Sequence, residues 1–377
     1  MSFSAADHAF MAQALRLARC GLNTTTPNPR VGCVIVRDDV VLAEGWHQRA
    51  GGPHAEAVAL AALNAKVGGG GTAIGATAIG TTAYVTLEPC SHHGRTPPCA
   101  DALIAAGVSR VVAAMTDPNP LVAGNGLSAL RAAGIAVECG LLEAEARELN
   151  IGFISRMTRG RPWLRLKVAT SLDGKTALNN GISQWITGPE ARRHAHAWRA
   201  LSCAMLTGIG TVKDDNPRLT VRDLPDGVNC ERQPLRVVID SRLETPPNAA
   251  TLDGGGVLIA CAEDNPVRRA VLEARGAEIV VLPNPHGKVE LLDLLTELGR
   301  RGINEVMAEA GTKLNGSLLR ENCVDELLIY QAPVLMGDSA RGMFGLAELT
   351  DLAGAQRLEI MERRVVSADF FIRARLR

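Results

Sequence analysis

Residues 84–104, YVTLEPCSHHGRTPPCADALI, decide the fold of the first part of the chain. The stretch opens with a strand-like apolar run, crosses a polar, proline-containing loop and enters a helix-like run. Cys90 and Cys99 lie in the loop with eight residues between them, among which are His92 and His93. Cysteine and histidine are ligands for transition metals, but four candidates are too many for one side of one site. The stretch therefore predicts a strand–loop–helix unit that contributes part of a metal site.

Strand-like and helix-like segments alternate on both sides of this unit. The strand-like segments are VGCVIV (31–36), AYVTL (83–87) and RVVAAM (110–115). The helix-like segments are HAEAVALAALNAK (54–66), ADALIAAG (100–107) and GLSALRAAG (126–134). Such alternation is typical of an α/β domain, which we place at residues 1–147. The polar stretch ARELNIGFISRMTRGRP then predicts a linker over residues 148–160.

A second alternating series begins at WLRLKVATSLDG (163–174) and predicts another α/β domain over residues 161–377. Its further strand-like segments are CAMLTGIG (203–210), LRVVID (235–240), GVLIACA (256–262), AEIVVLP (277–283), EVMAEAG (305–311) and ELLIYQAP (326–333). The closing segment RVVSADFFIRARLR (364–377) alternates in polarity and predicts one final strand.

The composition is that of an ordinary globular protein and excludes several classes. The 377 residues carry 40 basic and 40 acidic side chains and only 3% aromatics, which argues against a nucleic-acid surface. We find no run of about 18 apolar residues that could span a membrane. Nine cysteines and no secretory pattern predict a reduced protein in the cytoplasm.

A tandem repeat, TAIGATAIG (72–80), interrupts the first domain. A glycine-rich phosphate cradle is one interpretation, but no Lys-Ser/Thr pair follows and the spacing is not GxGxxG. We therefore interpret the repeat as a flexible surface extension between a helix and a strand.

Residues 53–56, PHAE, offer the missing part of the metal site. HAE followed by two PC pairs matches the zinc-deaminase pattern H-x-E…P-C-x-x-C, in which one histidine and two cysteines hold zinc. Three protein ligands leave a fourth position for water, and Glu56 is placed to take its proton. His54 alone could be a surface residue, and His92 or His93 could replace it, but only His54 has the glutamate partner. The eight-residue spacing between Cys90 and Cys99 departs from the usual two.

Three further stretches, together with residues 84–104, resemble the deaminase half of the bifunctional riboflavin-biosynthesis deaminase–reductases. In that family, the long loop between the two cysteines is normal. The stretches are TPNPRVGCVIV (26–36), GWHQRAGGPHAEAVAL (45–60) and DPNPLVAGNG (117–126). The resemblance implies a cytidine-deaminase-like α/β/α domain with one zinc ion held by His54, Cys90 and Cys99, and with Glu56 as the proton shuttle. It also implies loss of the C2 amine, as ammonia, from 2,5-diamino-6-(5-phosphoribosylamino)pyrimidin-4-one.

Other residues around this site have two interpretations each. Asn28 resembles a substrate-orienting amide, although an Asn-Pro turn is an ordinary turn. Arg95 is either a contact to the ribose phosphate, for which a guanidinium is suited, or a solvated charge. His47 and His92 either line the substrate pocket or only pack against neighbouring residues.

The second domain resembles the reductase half of the same family, for example in LKVATSLDGKTAL (166–178), LTGIGTVKDDNPRLTVR (206–222) and EAGTKLNGSLL (309–319). The resemblance implies a dihydrofolate-reductase-like fold that uses NADPH to reduce the ribosyl group to ribityl. It places NADPH against Thr170, Trp185, Thr211, Asp215, Ser241, Gly311, Thr312, Lys313, Leu314, Asn315, Gly316 and Ser317. It places the phosphorylated pyrimidine against Ser183, Arg199, Leu219, Arg222 and Glu309.

Without the resemblance, physical chemistry supports the assignment of an NADPH-dependent reductase only in part. The strand–glycine–helix turn at Gly311 offers free backbone N–H groups to a pyrophosphate, although most such turns are structural. Lys167 and Asp173 either manage protons during the reduction or form an ordinary salt bridge and cap.

Two other functions fit the sequence less well than a deaminase–reductase does. A tRNA-type deaminase with an accessory domain fits poorly with neutral charge and few aromatics. A binding protein with a structural zinc fits poorly with Glu56 beside a three-ligand site. We also expect a homo-oligomer, a dimer or a tetramer, that binds neither nucleic acid nor membrane.

Overall fold

The computed structural model describes residues 3–66, 78–91, 98–120, 122–226, 228, 230 and 232–376. The chain divides into two compact units, Met1–Gly160 and Arg161–Arg377. Arg95, His92, His93 and most of the TAIGATAIG repeat lie outside the described residues. No described helix is both long and apolar enough to cross a membrane.

The first unit is built from six helices and five strands of the described residues. The helices are α1 (Ala5–Arg19), α2 (Ala55–Lys66), α3 (Cys99–Ala106), α4 (Asn125–Ala132), α5 (Glu143–Leu149) and α6 (Ile151–Arg159). The strands are β1 (Gly32–Arg37), β2 (Val40–Trp46), β3 (Thr82–Val85), β4 (Arg110–Ala113) and β5 (Ala136–Cys139). The predicted strands and helices of this part of the chain are present, whereas β2, β5, α5 and α6 lie in segments for which no strand or helix was predicted.

These five strands form a mixed sheet in the order β2-β1-β3-β4-β5. β1 is antiparallel to β2 and β3, whereas β3, β4 and β5 are parallel. The strands β1, β3 and β4 are almost fully buried, as their short apolar runs require when helices cover both faces. The core of the unit therefore lies on this sheet.

A glycine on β2 sets the position of α2. A Cβ atom at Gly45 would overlap the carbonyl oxygen of Ala55 and the amide nitrogen of Ala59. Only glycine lets the first turn of α2 approach the strand this closely. The approach fixes the residues at the start of α2, where His54 and Glu56 lie.

The segment 148–160 differs from the predicted linker because most of it is helical and belongs to the first unit. Asn150, between α5 and α6, is buried; its side chain accepts the backbone N–H of Arg30 at 2.8 Å and donates to the Arg30 carbonyl at 2.9 Å. These paired bonds hold α6 against the start of β1. The polar composition of a segment does not reveal that hydrogen bonds to a distant part of the chain hold it in place.

The second unit is built from five helices and eleven strands of the described residues. The helices are α7 (Pro189–Leu201), α8 (Ile209–Asp215), α9 (Pro266–Glu273), α10 (Leu291–Arg300) and α11 (Thr312–Arg320). The strands are β6 (Trp163–Ser171), β7 (Lys175–Ala177), β8 (Ala204–Gly208), β9 (Leu235–Ile239), β10 (Val257–Cys261), β11 (Ala277–Val281), β12 (Glu305–Ala308), β13 (Glu326–Ala332), β14 (Arg341–Gly342), β15 (Leu358–Val366) and β16 (Asp369–Leu376).

Nine of these strands form one sheet in the order β11-β10-β9-β8-β12-β6-β13-β16-β15. The run from β11 to β13 is parallel, so the carboxyl ends of its strands meet at one edge of the sheet. Ligands of open α/β sheets bind at this edge, where the chain order of neighbouring strands reverses. Here β12 lies between β8 and β6 in the sheet although it follows both in the chain, and this reversal marks the position.

The prediction of a single C-terminal strand is wrong. Ser367 has a φ of 57°, in the left-handed region, and turns the chain between β15 and β16, which pair antiparallel. The predicted segment 364–377 therefore spans a hairpin. Only two residues separate β15 from β16, so the pattern does not reveal the reversal.

Candidate active sites

The first site gathers three side chains from two separate stretches. His54 directly precedes α2, Cys90 follows β3, and Cys99 is the first residue of α3. Nδ1 of His54 lies 3.5 Å from Sγ of Cys90 and 3.3 Å from Sγ of Cys99. All three ligand atoms lie within 4.8 Å of one another. The structure thus brings together the three predicted metal ligands.

The spacing of these atoms fits a zinc ion. Tetrahedral coordination with ordinary Zn–N and Zn–S bond lengths separates a nitrogen ligand from a sulfur ligand by about 3.5 Å. The two observed nitrogen–sulfur distances, 3.5 and 3.3 Å, agree with that value. One histidine and two thiols are also a donor set that zinc prefers, and they leave a fourth position open.

The backbone at the start of α3 prepares a thiolate. The N–H of Cys99 points to Sγ of Cys90 at 3.4 Å. Contacts from the Cys99 side chain and from His54 lower the pKa of the Cys90 thiol, whereas the contact with Cys90 and burial raise the pKa of Cys99. A thiolate is the form that binds metal, so Cys90 is the thiol prepared for an ion, and Cys99 releases its proton when the ion binds.

Glu56 lies in the first turn of α2 and is 3% exposed. Burial raises the pKa of its carboxyl to about 7, and the neighbouring Cys90 acts in the same direction. A carboxyl with a pKa near neutrality suits an acid–base catalyst that must both accept and release a proton.

Asn28 and His47 form a chain of polar contacts beside this cluster. Nδ2 of Asn28 lies 3.1 Å from Nε2 of His47, and Nδ1 of His47 lies 2.9 Å from the carbonyl oxygen of Pro53. The His47 ring packs edge-on against His54 at 5.4 Å. Burial lowers the pKa of His47 and favours its neutral form. Asn28 therefore lies close to the metal cluster, as a substrate-orienting amide would.

Glu88 is a buried residue beside the metal cluster that was not predicted. It lies two residues before Cys90 and is 5% exposed. Its Oε2 accepts the N–H groups of Asp117 and Gly124 at 3.0 and 2.9 Å. Its Oε1 accepts those of Gly126 and Leu127 at 2.8 and 3.2 Å. The carboxylate thus ties the 117–127 segment to the strand end that carries Cys90; the glutamate beside the first PC pair is the available sequence signal.

The second site is a cleft of about 1440 Å³ in the second unit. Its walls come from the carboxyl ends of β6, β8, β9 and β12 and from α7, α8 and α11. The predicted cofactor residues that line it are Trp185, Thr211, Asp215, Ser241, Gly311, Thr312, Lys313, Leu314 and Ser317. The predicted substrate residues that line it are Ser183, Arg199, Leu219, Arg222 and Glu309.

Three predicted cofactor residues are not among those that line the cleft. The hydroxyl of Thr170 donates to the carbonyl of Lys175 at 3.1 Å. Nδ2 of Asn315 donates to the carbonyl of Met343 at 3.1 Å, and a Cβ at Gly316 would overlap the backbone of Gly345. Asn315 and Gly316 lie on the face of α11 that packs against the 343–345 segment.

The cleft holds a half-buried cluster of charges. Arg199 donates two hydrogen bonds to the carboxylate of Glu309, from Nε to Oε1 at 2.6 Å and from Nη2 to Oε2 at 3.0 Å. Nζ of Lys167 lies 3.7 Å from the same carboxylate. Burial alone would raise the pKa of Glu309, but Arg199 and Lys167 outweigh it and hold that pKa well below its usual range. Burial lowers the pKa of Lys167.

Arg222 reaches the cleft from the segment after α8. Nδ1 of the buried His196, on α7, accepts the backbone N–H of Arg222 at 3.2 Å. Burial, with Arg199 and Arg222 nearby, lowers the pKa of His196 to about 4. His196 is therefore a neutral acceptor that holds the Arg222 backbone, and it was not predicted.

Asp173 does not lie in the cleft lining. Its carboxylate accepts backbone N–H groups of Met336 and Gly337 and the hydroxyl of Ser171. These bonds pin two loops together, which supports the interpretation of Asp173 as a cap. Lys167 does line the cleft.

The two halves of the chain match two families. Residues 4–115 match the family described as the cytidine and deoxycytidylate deaminase zinc-binding region, and residues 162–372 match the RibD C-terminal domain. The chain is 47% identical over 372 residues to the riboflavin biosynthesis protein RibD of Escherichia coli K12, covering 96% of this chain and 97% of that protein. It is 44% identical to the protein of the same name from Haemophilus influenzae, covering 98% and 97%.

Solved structures agree with these matches. Acinetobacter baumannii RibD, form 1, superposes with a TM-score of 0.89 at 42% identity and with 99% of each chain covered. A Thermotoga maritima protein superposes with a TM-score of 0.85 at 33% identity, again with 99% of each chain covered. That protein is described as a diaminohydroxyphosphoribosylaminopyrimidine deaminase/5-amino-6-(5-phosphoribosylamino)uracil reductase.

A zinc-binding deaminase region followed by a reductase domain defines a two-domain deaminase–reductase. The predicted fold class, a cytidine-deaminase-like domain joined to an α/β reductase domain, is confirmed. The chain belongs to the RibD family of bifunctional riboflavin-biosynthesis enzymes. Both predicted activities, a deaminase (a hydrolase) and a reductase (an oxidoreductase), are thereby confirmed.

Proposed function

We propose that the first domain hydrolyses 2,5-diamino-6-(5-phosphoribosylamino)pyrimidin-4-one to release its C2 amine as ammonia. We propose that the second domain then uses NADPH to reduce the ribosyl group of the product to ribityl. The description of the Thermotoga maritima relative supports this pair of substrates. The observation that carries the proposal is Glu56, a buried carboxyl beside a three-ligand cluster that leaves one position open.

In the deamination, His54, Cys90 and Cys99 would hold one zinc ion per chain. Zinc supplies a position for water and lowers the pKa of that water to about 7. Glu56 would accept a proton from the attacking water and deliver it to the ring nitrogen. It would then take the second proton, from the hydroxyl now on C2, and deliver it to the amine, which leaves as ammonia while the C2 carbonyl forms. Asn28, held by His47, orients the pyrimidine through its amide. Arg95 is proposed as the contact to the ribose phosphate.

In the reduction, the protein binds and orients its two ligands. NADPH supplies the hydride. The first turn of α11, beginning at Thr312, presents free N–H groups for the pyrophosphate. Arg199 and Arg222 offer guanidinium groups for the substrate's polar groups, and the ionised carboxylate of Glu309 positions Arg199 and Lys167. The ring-opened imine of the ribosylamino group is the proposed form that is reduced.

The protein is proposed to work as a homo-oligomer of two or four chains. β15 is an edge strand among the described residues, and it exposes apolar side chains, including Ile360, Met361 and Val365. An unpaired edge with exposed apolar groups is a typical place for a second copy to pair. Light scattering after chromatography would give the mass, and Ile360→Lys should lower it.

The remaining expectations concern location and other ligands. Nine cysteines without a disulfide among the described residues support a reducing compartment, and we propose the cytoplasm. Equal numbers of basic and acidic residues support a small-molecule substrate and not a nucleic acid.

One experiment tests both steps. The pure protein is incubated with the diaminopyrimidine substrate, with and without NADPH, while ammonia and NADPH are measured separately. We expect ammonia in both samples, and NADPH oxidation in the sample with NADPH but not in a control that lacks the pyrimidine. Ammonia from an RNA stem-loop, with none from the pyrimidine, would replace this proposal by a nucleic-acid deaminase.

A further inference from the structure

The turn that carries Asn28 is held in place by the segment that follows α5. Asn28 lies between Pro27 and Pro29, in the connection from α1 to β1. We infer that Arg156, on α6, is a positioning residue of the deaminase site, which holds the carbonyl of Pro27 and thereby sets where the Asn28 amide points. The inference rests on the proposed part of Asn28 in the deamination, and it adds α6 to the elements that build this site.

The backbone of this turn can make few hydrogen bonds of its own. Proline has no N–H group, so Asn28 is the only backbone donor over residues 27–29. Its N–H donates to the carbonyl of Thr25 at 2.8 Å. The other polar groups of this backbone are carbonyls, whose partners have to come from other parts of the chain or from water.

Two side chains of the segment around α6 bind the backbone on the two sides of Asn28. On the amino-terminal side, Nη2 of Arg156 donates to the carbonyl of Pro27 at 2.9 Å. On the carboxyl-terminal side, the Asn150 side chain accepts the N–H of Arg30 and donates to its carbonyl. Asn28 therefore lies in a stretch of chain whose two ends are tied to the same part of the first unit.

The two contacts are spaced alike on the helix and on the turn. Asn150 directly precedes α6, and Arg156 is six residues further on, about 9 Å along a helix. Pro27 and Arg30 are three residues apart, at most about 11 Å along an extended chain. One rigid helix can therefore fix both ends of the turn.

The helix that carries Arg156 is itself anchored. Gly152 and Ser155 are buried, and Ile154 packs against the core of the first unit. The guanidinium carbon of Arg156 lies over the ring of Phe153, 5.7 Å from the ring centre. A guanidinium held in this way loses little further conformational freedom when it bonds to the turn.

The position of the turn decides which atom of the Asn28 amide a substrate meets. Nδ1 of His47 lies 2.9 Å from the carbonyl oxygen of Pro53, and a carbonyl oxygen only accepts. In the neutral ring Nδ1 therefore carries the proton, and Nε2 accepts the amide N–H of Asn28 at 3.1 Å. Oδ1 of Asn28, which has no hydrogen-bond partner among the described residues, is then available to an N–H group of the pyrimidine. Movement of the neighbouring Pro27 carbonyl would move this oxygen relative to the metal cluster.

Two variants at position 156 test the inference on the full-length enzyme with zinc bound. Arg156→Met keeps an apolar stem against Phe153 and removes the donor, whereas Arg156→Lys keeps a cationic donor for the Pro27 carbonyl. Arg156→Met should lower kcat/KM for ammonia release by about 5- to 30-fold, and Arg156→Lys by less than about 3-fold. Zinc content and NADPH oxidation with the deaminated substrate should stay those of the wild type in both.

The matched control is Arg147→Met. Arg147 is an exposed arginine of α5 whose ion pair with Glu143 stays within that helix, at 3.2 Å. Its loss should leave ammonia release unchanged. Equal losses in Arg147→Met and Arg156→Met would show that any arginine of this segment matters only through general stability, and would overturn the inference.

A double-mutant cycle separates positioning from general support of the fold. If Arg156 acts through Asn28, Arg156→Met should cost no further activity once Asn28 is replaced by alanine. A second loss of the same size in the Asn28→Ala background would overturn the inference. Equal activity of Arg156→Met and the wild type would do the same.

Two further outcomes separate this inference from the proposed function. If the wild type releases no ammonia from the diaminopyrimidine, the proposed function fails and the inference fails with it. If the wild type releases ammonia and Asn28→Ala does so at the same rate, the proposed deamination stands but the inference fails, because Arg156 then has no oriented amide to act on.

Discussion

Oε1 of Glu88 accepts the backbone N–H of Gly126 at 2.8 Å and so joins the strand end before Cys90 to the first turn of α4. The contact is tight, because a Cβ at Gly126 would overlap the carbonyl of Pro89. With the three other N–H groups on the same carboxylate, it ties the start of α4 to the segment that leads from β3 to Cys90.

Glu88→Gln should destabilise the first domain. The glutamine NH₂ would face backbone donors in place of a carboxylate oxygen, so two of the four bonds are lost and buried N–H groups lose their acceptor. We expect a loss of about 2–4 kcal/mol in the free energy of unfolding, measured with urea. Glu143→Gln removes a carboxylate that makes an exposed pair with Arg147 and should change stability by less than about 0.5 kcal/mol. Equal effects of the two variants would contradict this role.

Glu56→Gln should abolish deamination while zinc stays bound. The amide keeps the shape of the side chain but cannot accept and return a proton. Ammonia release should fall by about 10²- to 10⁴-fold, whereas zinc content and NADPH oxidation with the deaminated substrate should be unchanged. Ammonia release at the wild-type rate would show that another group moves the proton.

The metal site was predictable because its residue types follow from zinc chemistry. The eight-residue spacing between Cys90 and Cys99 departs from the usual pattern, and only the family resemblance accounts for it. His54, Glu56, Cys90 and Cys99 each carry a group that few other roles require in that combination. Glu88 was not predictable in the same way, since its partners are backbone N–H groups, which every residue but proline has. The same applies to Asn150, whose bonds to the Arg30 backbone turned a polar stretch into part of the first unit.

In the second domain, the sequence located the cleft better than the orientation of single side chains. The turn at Gly311 marks where α11 starts, but the pattern does not show which face of that helix meets the cofactor. Asn315 and Gly316 consequently pack on the 343–345 segment. Asp173 was ambiguous because its partners, Met336 and Gly337, are far away in the sequence.

Zinc stoichiometry should depend on His54, Cys90 and Cys99. Replacing either cysteine by serine removes a thiolate and should lower the zinc content from one ion per chain to a small fraction. Cys139→Ser is the matched control, since Cys139 is also a half-buried free cysteine of the first unit but lies outside the cluster. Emission spectrometry of the purified variants measures the metal. Full zinc in Cys90→Ser, with loss in Cys139→Ser, would refute the assignment.

Glu309→Gln should impair the reduction and spare the deamination. The change removes the charge that holds Arg199 by two bonds and that lies 3.7 Å from Lys167. Two half-buried cations would then face each other without their shared carboxylate. We expect kcat/KM for NADPH oxidation to fall at least about 100-fold, with ammonia release unchanged. Parallel loss of both activities would point to general unfolding.

His196 should make the second domain less stable in acid. Its pKa is lowered to about 4 in the folded state, chiefly by burial, against 6.5 for the free side chain. Between these values the unfolded chain binds more protons, so this stabilisation is complete above pH 6.5 and is lost as the pH falls towards 4. His196→Asn can keep an acceptor for the Arg222 N–H and cannot be protonated. Because burial also lowers the pKa of His194 to about 4, the variant should remove about half of the histidine-dependent loss of stability between pH 7 and pH 5. Urea unfolding at the two pH values measures the difference, and an unchanged slope in the variant would show that His196 is protonated in the folded protein.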